Sequence, residues 1–344
     1  MPYSRNDTPD LVRRIDGDLE AVRETVQRAD PYARALVLTG GFARGEGTVL
    51  AGEPQNDYDF VVLRGMGSPR TPYGTLAARL QDRLGLHIDL APVPAWRLRF
   101  TARSIFWYET ALRGRTVWGQ DLLDRIPTRR PEDIDPGEGL RLLVNRAAGL
   151  LLCTDEPSEH KVRIQAAKAL LAASDAHLLA RGVFPPTQVE RWQALEGMRE
   201  DYQVPAAVDE RWGWHEWAFR FKVEPDQAPP RSGREAWQAA AHAILDAVPA
   251  ALGHSGHPTL ASYATRDGLV DHVVYYRRAR AIDRARRMVL HPTGRVRVAT
   301  LRLLAASTDG QIRPEVAQRC LGQFSPATHP PVPLLDALRK ATLQ

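Results

Sequence analysis

The sequence predicts an α/β (α+β) domain with a mixed sheet at the N-terminus, followed by an all-α region. Three observations lead to this fold class. Short apolar runs alternate with helical patterns through the N-terminal third, as is typical of strands and helices that share one domain. A stretch rich in proline and charged residues follows at Ile126–Pro136. Beyond Gly137, apolar residues recur at helical spacing in one segment after another.

The N-terminal domain is predicted to contain two helices and three core strands. In chain order these are a helix at Leu11–Arg28, strands at Ala33–Thr39 and Asp57–Leu63, a helix at Pro72–Leu84 and a strand at Leu86–Pro92. After the boundary the sequence predicts helices at Leu140–Leu152, Lys161–Arg181, Pro186–Met198, Val208–Val223, Ala236–Leu252, Tyr275–Leu290 and Leu334–Leu343.

The length of the chain predicts more than one domain. At 344 residues it exceeds the size at which a single hydrophobic core usually stops growing. We expect an N-terminal domain at 1–125, a helical domain at 126–252 that closes over a cleft of the first, and a helical, Arg-rich segment at 253–344.

The composition is that of an ordinary folded protein. Hydrophobic residues make up 44% of the chain and charged residues 25%, which excludes the disordered and fibrous classes. No run of about 18 apolar residues occurs, and Met1–Asp7 lacks the apolar stretch of a secretory signal. We therefore expect a cytoplasmic protein with no membrane partner. Cys153 and Cys320 lack metal-ligand spacing and are interpreted as buried thiols.

Three acidic residues occupy predicted strand positions, where apolar residues would be expected. Asp57 and Asp59 are two residues apart in one strand and so project from the same face. Asp89 lies in the next predicted strand and converges with them if the two strands are neighbours. Clustered carboxylates repel unless a cation lies between them, and Mg²⁺ takes one or two carboxylates together with substrate phosphates. The pattern indicates a site for Mg²⁺ and a nucleoside triphosphate.

A glycine turn precedes the acid pair. Gly40 and Gly41 end the first strand and leave backbone N–H groups accessible to phosphate oxygens, because no Cβ stands in the way. Arg44 follows the turn and is a candidate contact to a phosphate oxygen, with a scaffold role as the alternative. Glu46 is interpreted as a residue that orients Arg44 or caps a helix.

These residues resemble the signature of the polymerase-β superfamily of nucleotidyltransferases: a strand that ends in Gly-Gly, then Asp-x-Asp, then a third Asp on a later strand. The resemblance covers about the first third of the chain, and the two-part layout resembles that of antibiotic nucleotidyltransferases. Fifteen residues, Phe42 to Asn56, separate the glycines from the acid pair. This interval is longer than is usual in the superfamily and predicts an extra turn.

The resemblance implies a reaction and a set of roles. Asp57 and Asp59 would bind two Mg²⁺ ions, for which Mn²⁺ substitutes in vitro, and Asp89 would bind the catalytic ion and help to deprotonate the acceptor. Superfamily members often bring a lysine of a helical domain to the triphosphate, which makes Lys161 and Lys168 candidates. The expected reaction moves a nucleoside monophosphate, AMP from ATP by preference, to a hydroxyl or phosphate of a small-molecule acceptor.

Two other functions remain open at this point. In one, the acceptor is a tRNA or a protein, as for a toxin or a regulator. The strongly basic stretch Asp271–Leu304, which holds nine arginines and only two acidic residues, favours this alternative through RNA binding at Arg277–Arg302. In the other, the protein is a catalytically silent regulator that binds nucleotide. A solvated arginine-rich helix is the structural alternative for the basic stretch.

Structural interpretations also stand beside the site assignments. Asp57 as a turn residue, with Asp59 and Asp89 paired to arginines, would need no metal. His87 shares a strand face with Asp89 and is interpreted as a hydrogen-bonded structural histidine. Trp107, Tyr108 and Glu109 either line a substrate pocket or belong to the core.

Overall fold

A computed structural model of the chain describes residues 2–55, 57–66, 71–135, 137–154, 158–199 and 208–251, together with 300, 301 and 304. The chain forms two compact units. The first comprises residues 1–135, 184–194 and 220–228, and the second comprises residues 136–183, 195–219 and 229–344.

A four-stranded mixed sheet organises the first unit. Its strands are β1 (Ala33–Thr39), β4 (Tyr58–Arg64), β5 (Ile88–Pro94) and β6 (Arg115–Gly119), and a separate hairpin consists of β2 (Val49–Leu50) and β3 (Glu53–Pro54). The order across the sheet is β5-β4-β1-β6. Strand β1 runs antiparallel to both β4 and β6, whereas β4 and β5 are parallel. The predicted mixed α/β class is confirmed, and the hairpin supplies the extra turn between the glycines and the acid pair.

Helices cover both faces of the sheet. The helices of the first unit are α1 (Pro9–Ala29), α2 (Gly40–Arg44), α3 (Tyr73–Leu84) and α4 (Ile105–Arg113), with 3₁₀ turns at Ala95–Phe100, Leu123–Arg125, Pro131–Asp133 and Pro225–Gln227. Helix α1 begins where the Thr8 side chain accepts a hydrogen bond from the N–H of Leu11, with proline in the first helical position. Its apolar stripe is buried on the sheet.

The strands divide their side chains between two core layers. Leu36, Leu38 and Phe60 face α1 and α3, where Leu19 and Leu80 are buried with them. The residues that alternate with these project to the other face and pack with the 3₁₀ turn at Ala95–Phe100: Ala35, Val37, Val61 and Leu63. This period of two fixes the face of every polar residue in the same strands.

The second unit is helical, which confirms the predicted all-α character of the chain after Gly137 for the described residues. It contains α5 (Gly137–Leu152), α6 (Glu159–Ala180) and α9 (Gly233–Ala251), while α7 (Gln188–Gly197) and α8 (Val208–Val223) each have residues in both units. Helix α6 is buried along most of its alanine- and leucine-rich length. The predicted helices at Tyr275–Leu290 and Leu334–Leu343, and nearly all of the segment 253–344, lie outside the described residues.

We expect acid to destabilise the second unit through His215. This imidazole is 3% exposed, and its Nδ1 lies 2.8 Å from Oγ of Ser174, which donates to the carbonyl of Leu170. Burial lowers the pKa of His215 to about 4, whereas the pKa of an unfolded histidine is about 6.5. Between these values the unfolded chain binds more protons, so the free energy of unfolding decreases by up to about 1.4 kcal/mol for each unit of pH below about 6.5.

Urea unfolding at about pH 7.5 and about pH 5 measures this loss of stability. Burial and the charge of His215 also lower the pKa of His177, to about 3, and this residue adds a slope of the same sign. The substitution His215→Gln should therefore reduce the difference between the two pH values without removing it. The exposed residue His160 provides the matched control, since His160→Gln should leave the difference unchanged. An equal pH dependence in the parent and in His215→Gln would contradict the assignment.

Candidate active site at one end of the sheet

The strand register brings two of the predicted acids side by side. Thr39 of β1 lies opposite Asp59 of β4, and Asp59 lies opposite Asp89 of the parallel strand β5. Directly opposite residues project from the same face of a sheet at about 5 Å. Because Phe60 faces α1 and α3, Asp59 and Asp89 face the other layer. The convergence that the sequence pattern predicted for these two strands is therefore present.

Asp57 completes the group electrostatically. It lies immediately before β4, two residues from Asp59. Burial raises the pKa of the Asp59 carboxyl to about 6, and the negative charges of Asp57 and Asp89 add to this effect. The positive charges of Arg44 and Lys222 act in the opposite direction. The three carboxylates are thus close enough to repel, and a cation between them would lower the energy of the ionised cluster.

Asp89 is the most accessible acid of the three. Its strand is at an edge of the sheet, and its side chain is 66% exposed. The Nε2 atom of His87 lies 3.5 Å from Oδ1 of Asp89, and the Nδ1 atom lies 2.9 Å from Oε1 of Gln81. His87 is therefore hydrogen-bonded, as its structural interpretation requires, but it also borders the carboxylate.

The donor set fits Mg²⁺ bound together with a phosphate-bearing substrate. Every candidate ligand atom is a carboxylate oxygen, the donor type that Mg²⁺ prefers. Within the part of the chain that the structure describes, no group of three or more His, Cys, Asp or Glu side chains is arranged to hold a metal ion. Mg²⁺ usually takes only one or two carboxylates and completes its shell with water and phosphate oxygens, so bound Mg²⁺ stays a prediction for this site.

The glycine turn touches the acid pair directly. Gly40 has φ +70°, in the left-handed region that favours glycine. A Cβ atom placed there would overlap Oδ2 of Asp59, so only glycine lets the turn and the carboxylate occupy their positions. Gly41 begins the buried part of α2, and its carbonyl accepts a hydrogen bond from the N–H of Glu46 at 2.8 Å. The turn and the Asp59 carboxylate are therefore in direct contact.

Arg44 lies in a buried ion-pair network. Its Nη1 donates to Oε2 of Glu109 at 2.6 Å, and its Nε lies 3.4 Å from Oε2 of Glu46. Arg191 also donates to Glu109. Burial alone would raise the pKa of Glu109, but the charges of Arg44 and Arg191 outweigh it and hold that pKa below its usual value. This geometry favours the scaffold role for Arg44, and the predicted phosphate contact stays a prediction.

Glu46 has both of the contacts that the sequence suggested. Besides meeting Arg44, it accepts hydrogen bonds from the N–H groups of Gln188 and Val189 at 2.8 and 2.9 Å, in the first turn of α7. A carboxylate at this place satisfies two N–H groups that have no partner inside the helix and lies at the positive end of the helix dipole. The residues after the glycine turn thereby hold the stretch 184–194 in the first unit.

Sequence reasoning missed Lys222. This residue is at the C-terminal end of α8, within the stretch 220–228 of the first unit. Its Nζ donates to Oγ1 of Thr48 at 3.0 Å, and the Thr48 hydroxyl donates to the carbonyl of Lys222 at 2.8 Å. Its charge acts on Asp59. No local pattern in the sequence marks it, although it is one of only four lysines among the 46 basic residues, the others being Lys161, Lys168 and Lys340.

The other predicted residues are distributed as follows. Lys161 and Lys168 belong to α6 of the second unit, so the compact unit that holds the carboxylates does not include them. Tyr108 is 5% exposed and Trp107 packs against the second core layer, which places both in the core. The basic stretch Arg277–Arg302 lies outside the described residues, apart from 300 and 301. No helix among the described residues is long and apolar enough to cross a membrane.

Comparisons with known proteins leave the family open. A scan against protein-family models finds no match, and a search of curated proteins finds none either. Among solved structures, the crystal structure of a toxin-antitoxin with AMP-PNP is similar over 31% of this chain and 77% of that chain, with 19% sequence identity and a TM-score of 0.24. A TM-score this low does not show a common fold.

Proposed function

We propose that the first unit is a nucleotidyltransferase of the polymerase-β type. It transfers a nucleoside monophosphate, AMP from ATP by preference, to a hydroxyl or phosphate of a small-molecule acceptor and releases pyrophosphate. One observation carries the proposal: the register of β1, β4 and β5 aligns the glycine turn, Asp59 and Asp89 at one end of the sheet. The neighbouring charge of Asp57 also acts on Asp59, which supports a bound cation at this end.

The three carboxylates have different roles in the proposed reaction, which follow from their positions and exposure. Asp57 and Asp59 would hold Mg²⁺ at the phosphate end of the nucleotide, and the ion would supply charge stabilisation for the attacking and leaving oxygens. Asp89 lies on an edge strand and is open to solvent. It is therefore the carboxylate that an acceptor hydroxyl reaches, and it orients that hydroxyl and takes up its proton.

The glycine turn supplies close approach to phosphate. Gly40 adopts a left-handed conformation beside Asp59 and, like Gly41, presents no side chain. Phosphate oxygens can therefore come within hydrogen-bond distance of the backbone N–H groups. The ion pairs that Arg44 makes with Glu46 and Glu109 hold the residues that follow the turn in place.

Lys222 is the cation that we assign to the triphosphate. An ammonium group whose charge already acts on Asp59 can also attract phosphate oxygens held next to that residue. We expect Lys222→Gln to lower kcat/KM for the nucleotide by about 10- to 100-fold, because one charge-assisted hydrogen bond contributes about 1.5–3 kcal/mol.

The remaining lysines provide the matched comparison. The superfamily resemblance pointed to Lys161 and Lys168, which lie on α6, and each should tolerate substitution by Gln if Lys222 fills the role. Thr48→Val removes the hydroxyl that holds Lys222 while keeping the ammonium, and a smaller loss is expected. A large loss in Lys161→Gln or Lys168→Gln with an unchanged Lys222→Gln would refute the assignment.

Label transfer tests the proposed function. The full chain is incubated with Mg²⁺ and each of the four NTPs labelled at the α-phosphate, and the acceptor is a pool of small metabolites, aminoglycosides, tRNA or protein. Transfer to the small-molecule pools with release of pyrophosphate is the expected result. Transfer to tRNA or protein alone would change the acceptor class. Binding of Mg-NTP without transfer to any pool would favour the silent regulator, and absence of binding would refute the nucleotide site.

A further inference from the structure

The end of the sheet opposite the acids carries a row of exposed apolar side chains. There Ala33 of β1 lies opposite Arg64 of β4, and Arg64 lies opposite Pro94 of β5. Just beyond these three positions lie four of the six large apolar side chains that are exposed among the described residues: Tyr32 at 49%, Met66 at 83%, Trp96 at 50% and Phe100 at 76%. We call this surface, together with Arg97 and Arg99, the aromatic end.

The 3₁₀ turn at Ala95–Phe100 explains why these rings are exposed. With three residues per turn, side chains at i and i+3 lie in one row. The row of Ala95 and Leu98 is 8% and 1% exposed and packs into the core under the sheet. The two remaining rows therefore point outward. Each row contains one aromatic ring and one guanidinium: Trp96 and Arg99 in one, Arg97 and Phe100 in the other.

The rings and guanidinium groups are arranged close together. The Trp96 and Phe100 rings meet edge to face with centroids 6.3 Å apart, and the guanidinium of Arg97 lies 5.6 Å from the centroid of Trp96. Such a surface offers flat apolar faces next to planar cations. It suits a ligand that has both flat rings and negative charge.

The charge of the aromatic end is positive. The segment 95–104 contains three arginines and no acidic residue. Arg129 joins it through hydrogen bonds to the carbonyls of Ala102 and Thr101, with the charge of Asp133 nearby. Asp30 is at this end of the sheet but is buried, where it accepts hydrogen bonds from Arg64 and Tyr73. An anionic partner is therefore favoured over an apolar or a basic one.

We propose that the aromatic end binds single-stranded nucleic acid. Unpaired bases stack on exposed aromatic rings, while arginines contact the phosphates between them, and this combination accepts any sequence because every base has a flat face. A duplex hides its base faces and would use only the arginines. The aromatic end is separated from Asp59 by the length of β4, about 17 Å from a rise of about 3.3 Å per residue.

Fluorescence anisotropy of labelled single strands tests this proposal on the full chain. The probes are oligo(U) and oligo(dT) of about 15 nucleotides, and a duplex of equal length serves as the comparison. The assay contains neither NTP nor Mg²⁺, so its result does not depend on the proposed transfer reaction. Both single strands should bind more tightly than the duplex, because only unpaired bases expose their faces for stacking.

Substitutions at exposed positions separate stacking from charge. Trp96→Ala and Phe100→Ala should each weaken binding by about 5- to 100-fold, whereas Trp96→Tyr, which keeps a flat ring, should retain most of the affinity. Arg97→Glu and Arg99→Glu should weaken binding and reduce its salt dependence. The matched controls lie on other exposed surfaces of the same unit: Leu112→Ala on α4 and Arg79→Glu on α3 should have no effect.

Photocrosslinking locates the contact, since the basic stretch Arg277–Arg302 could also attract RNA. A single strand that carries 4-thiouridine should crosslink within 95–104, and the crosslink should disappear in Trp96→Ala. Any of three results would overturn the proposal. These are crosslinks confined to other segments, an affinity for the duplex equal to that for the single strands, and an affinity that is unchanged in both Trp96→Ala and Phe100→Ala. One further result would overturn it: the protein binds no single strand but forms a concentration-dependent dimer, and Trp96→Ala dissociates that dimer. A second copy of the chain would then cover this surface.

Discussion

The substitution Asp59→Asn is expected to lower nucleotidyl transfer by at least about 1000-fold and to make the protein more stable. Activity falls because a neutral amide holds Mg²⁺ poorly, and the charge stabilisation lost in the transition state is several kcal/mol, with about 1.4 kcal/mol for each factor of ten. Stability rises because burial and the charges of Asp57 and Asp89 raise the pKa of Asp59 to about 6. The ionised carboxylate therefore costs free energy in the folded state, and its removal relieves that cost.

The opposite signs of the two effects make this prediction specific. Label transfer measures the first, and thermal unfolding at about pH 8 measures the second, where we expect a gain of about 1–2 kcal/mol. Asp57→Asn should abolish transfer in the same way, whereas Asp82→Asn on the exposed face of α3 should change neither quantity. If Asp59 were instead a structural residue paired to an arginine, Asp59→Asn would lower stability and leave transfer near its original rate.

The fold of the first unit was predictable where side-chain periodicity is strong. Strands β1, β4 and β5 are buried on at least one face, so their apolar residues stand out in the sequence. Strand β6 was not predicted as a strand, because its residues Arg115–Trp118 are all partly exposed and do not alternate between buried and exposed. Its place beside β1 depends on pairing with residues about 80 positions earlier, which local patterns do not contain.

The site was predictable to the same extent. Asp57, Asp59 and Asp89 could be identified from the sequence because burying a charged residue in an apolar strand costs free energy, which indicates a functional role. Lys222 was not visible, since it meets Thr48 across 174 positions of sequence and lies on a helix of weak periodicity. The contact between Glu46 and Gln188 spans 142 positions. Contacts between residues so far apart in the sequence arise from tertiary packing, and local spacing patterns do not predict them.

The substitution Gly40→Ala is expected to lower transfer by about 100-fold or more and to destabilise the first unit by about 2–5 kcal/mol. A Cβ at φ +70° costs about 1–2 kcal/mol in any location. At this position the Cβ would also overlap Oδ2 of Asp59, which adds the cost of overpacking, about 1–3 kcal/mol. Because the overlap displaces the carboxylate itself, the turn and the acid lose their alignment, and a misplacement of about 1 Å is enough for a 100-fold loss.

Two comparisons isolate the overlap from the backbone strain. Gly52 has φ +81° with nothing within 4 Å of an added Cβ, so Gly52→Ala should cost only the strain, about 1–2 kcal/mol, and leave transfer unchanged. In an Asp59→Ala background the atom of residue 59 nearest the added Cβ would be its own Cβ, at 3.4 Å, an ordinary contact. Gly40→Ala should then cost no more than Gly52→Ala, as measured by urea unfolding. An equal cost of Gly40→Ala with and without the Asp59 carboxylate would mean that the turn and the acid do not touch, and the proposed phosphate cradle beside Asp59 would have to be abandoned.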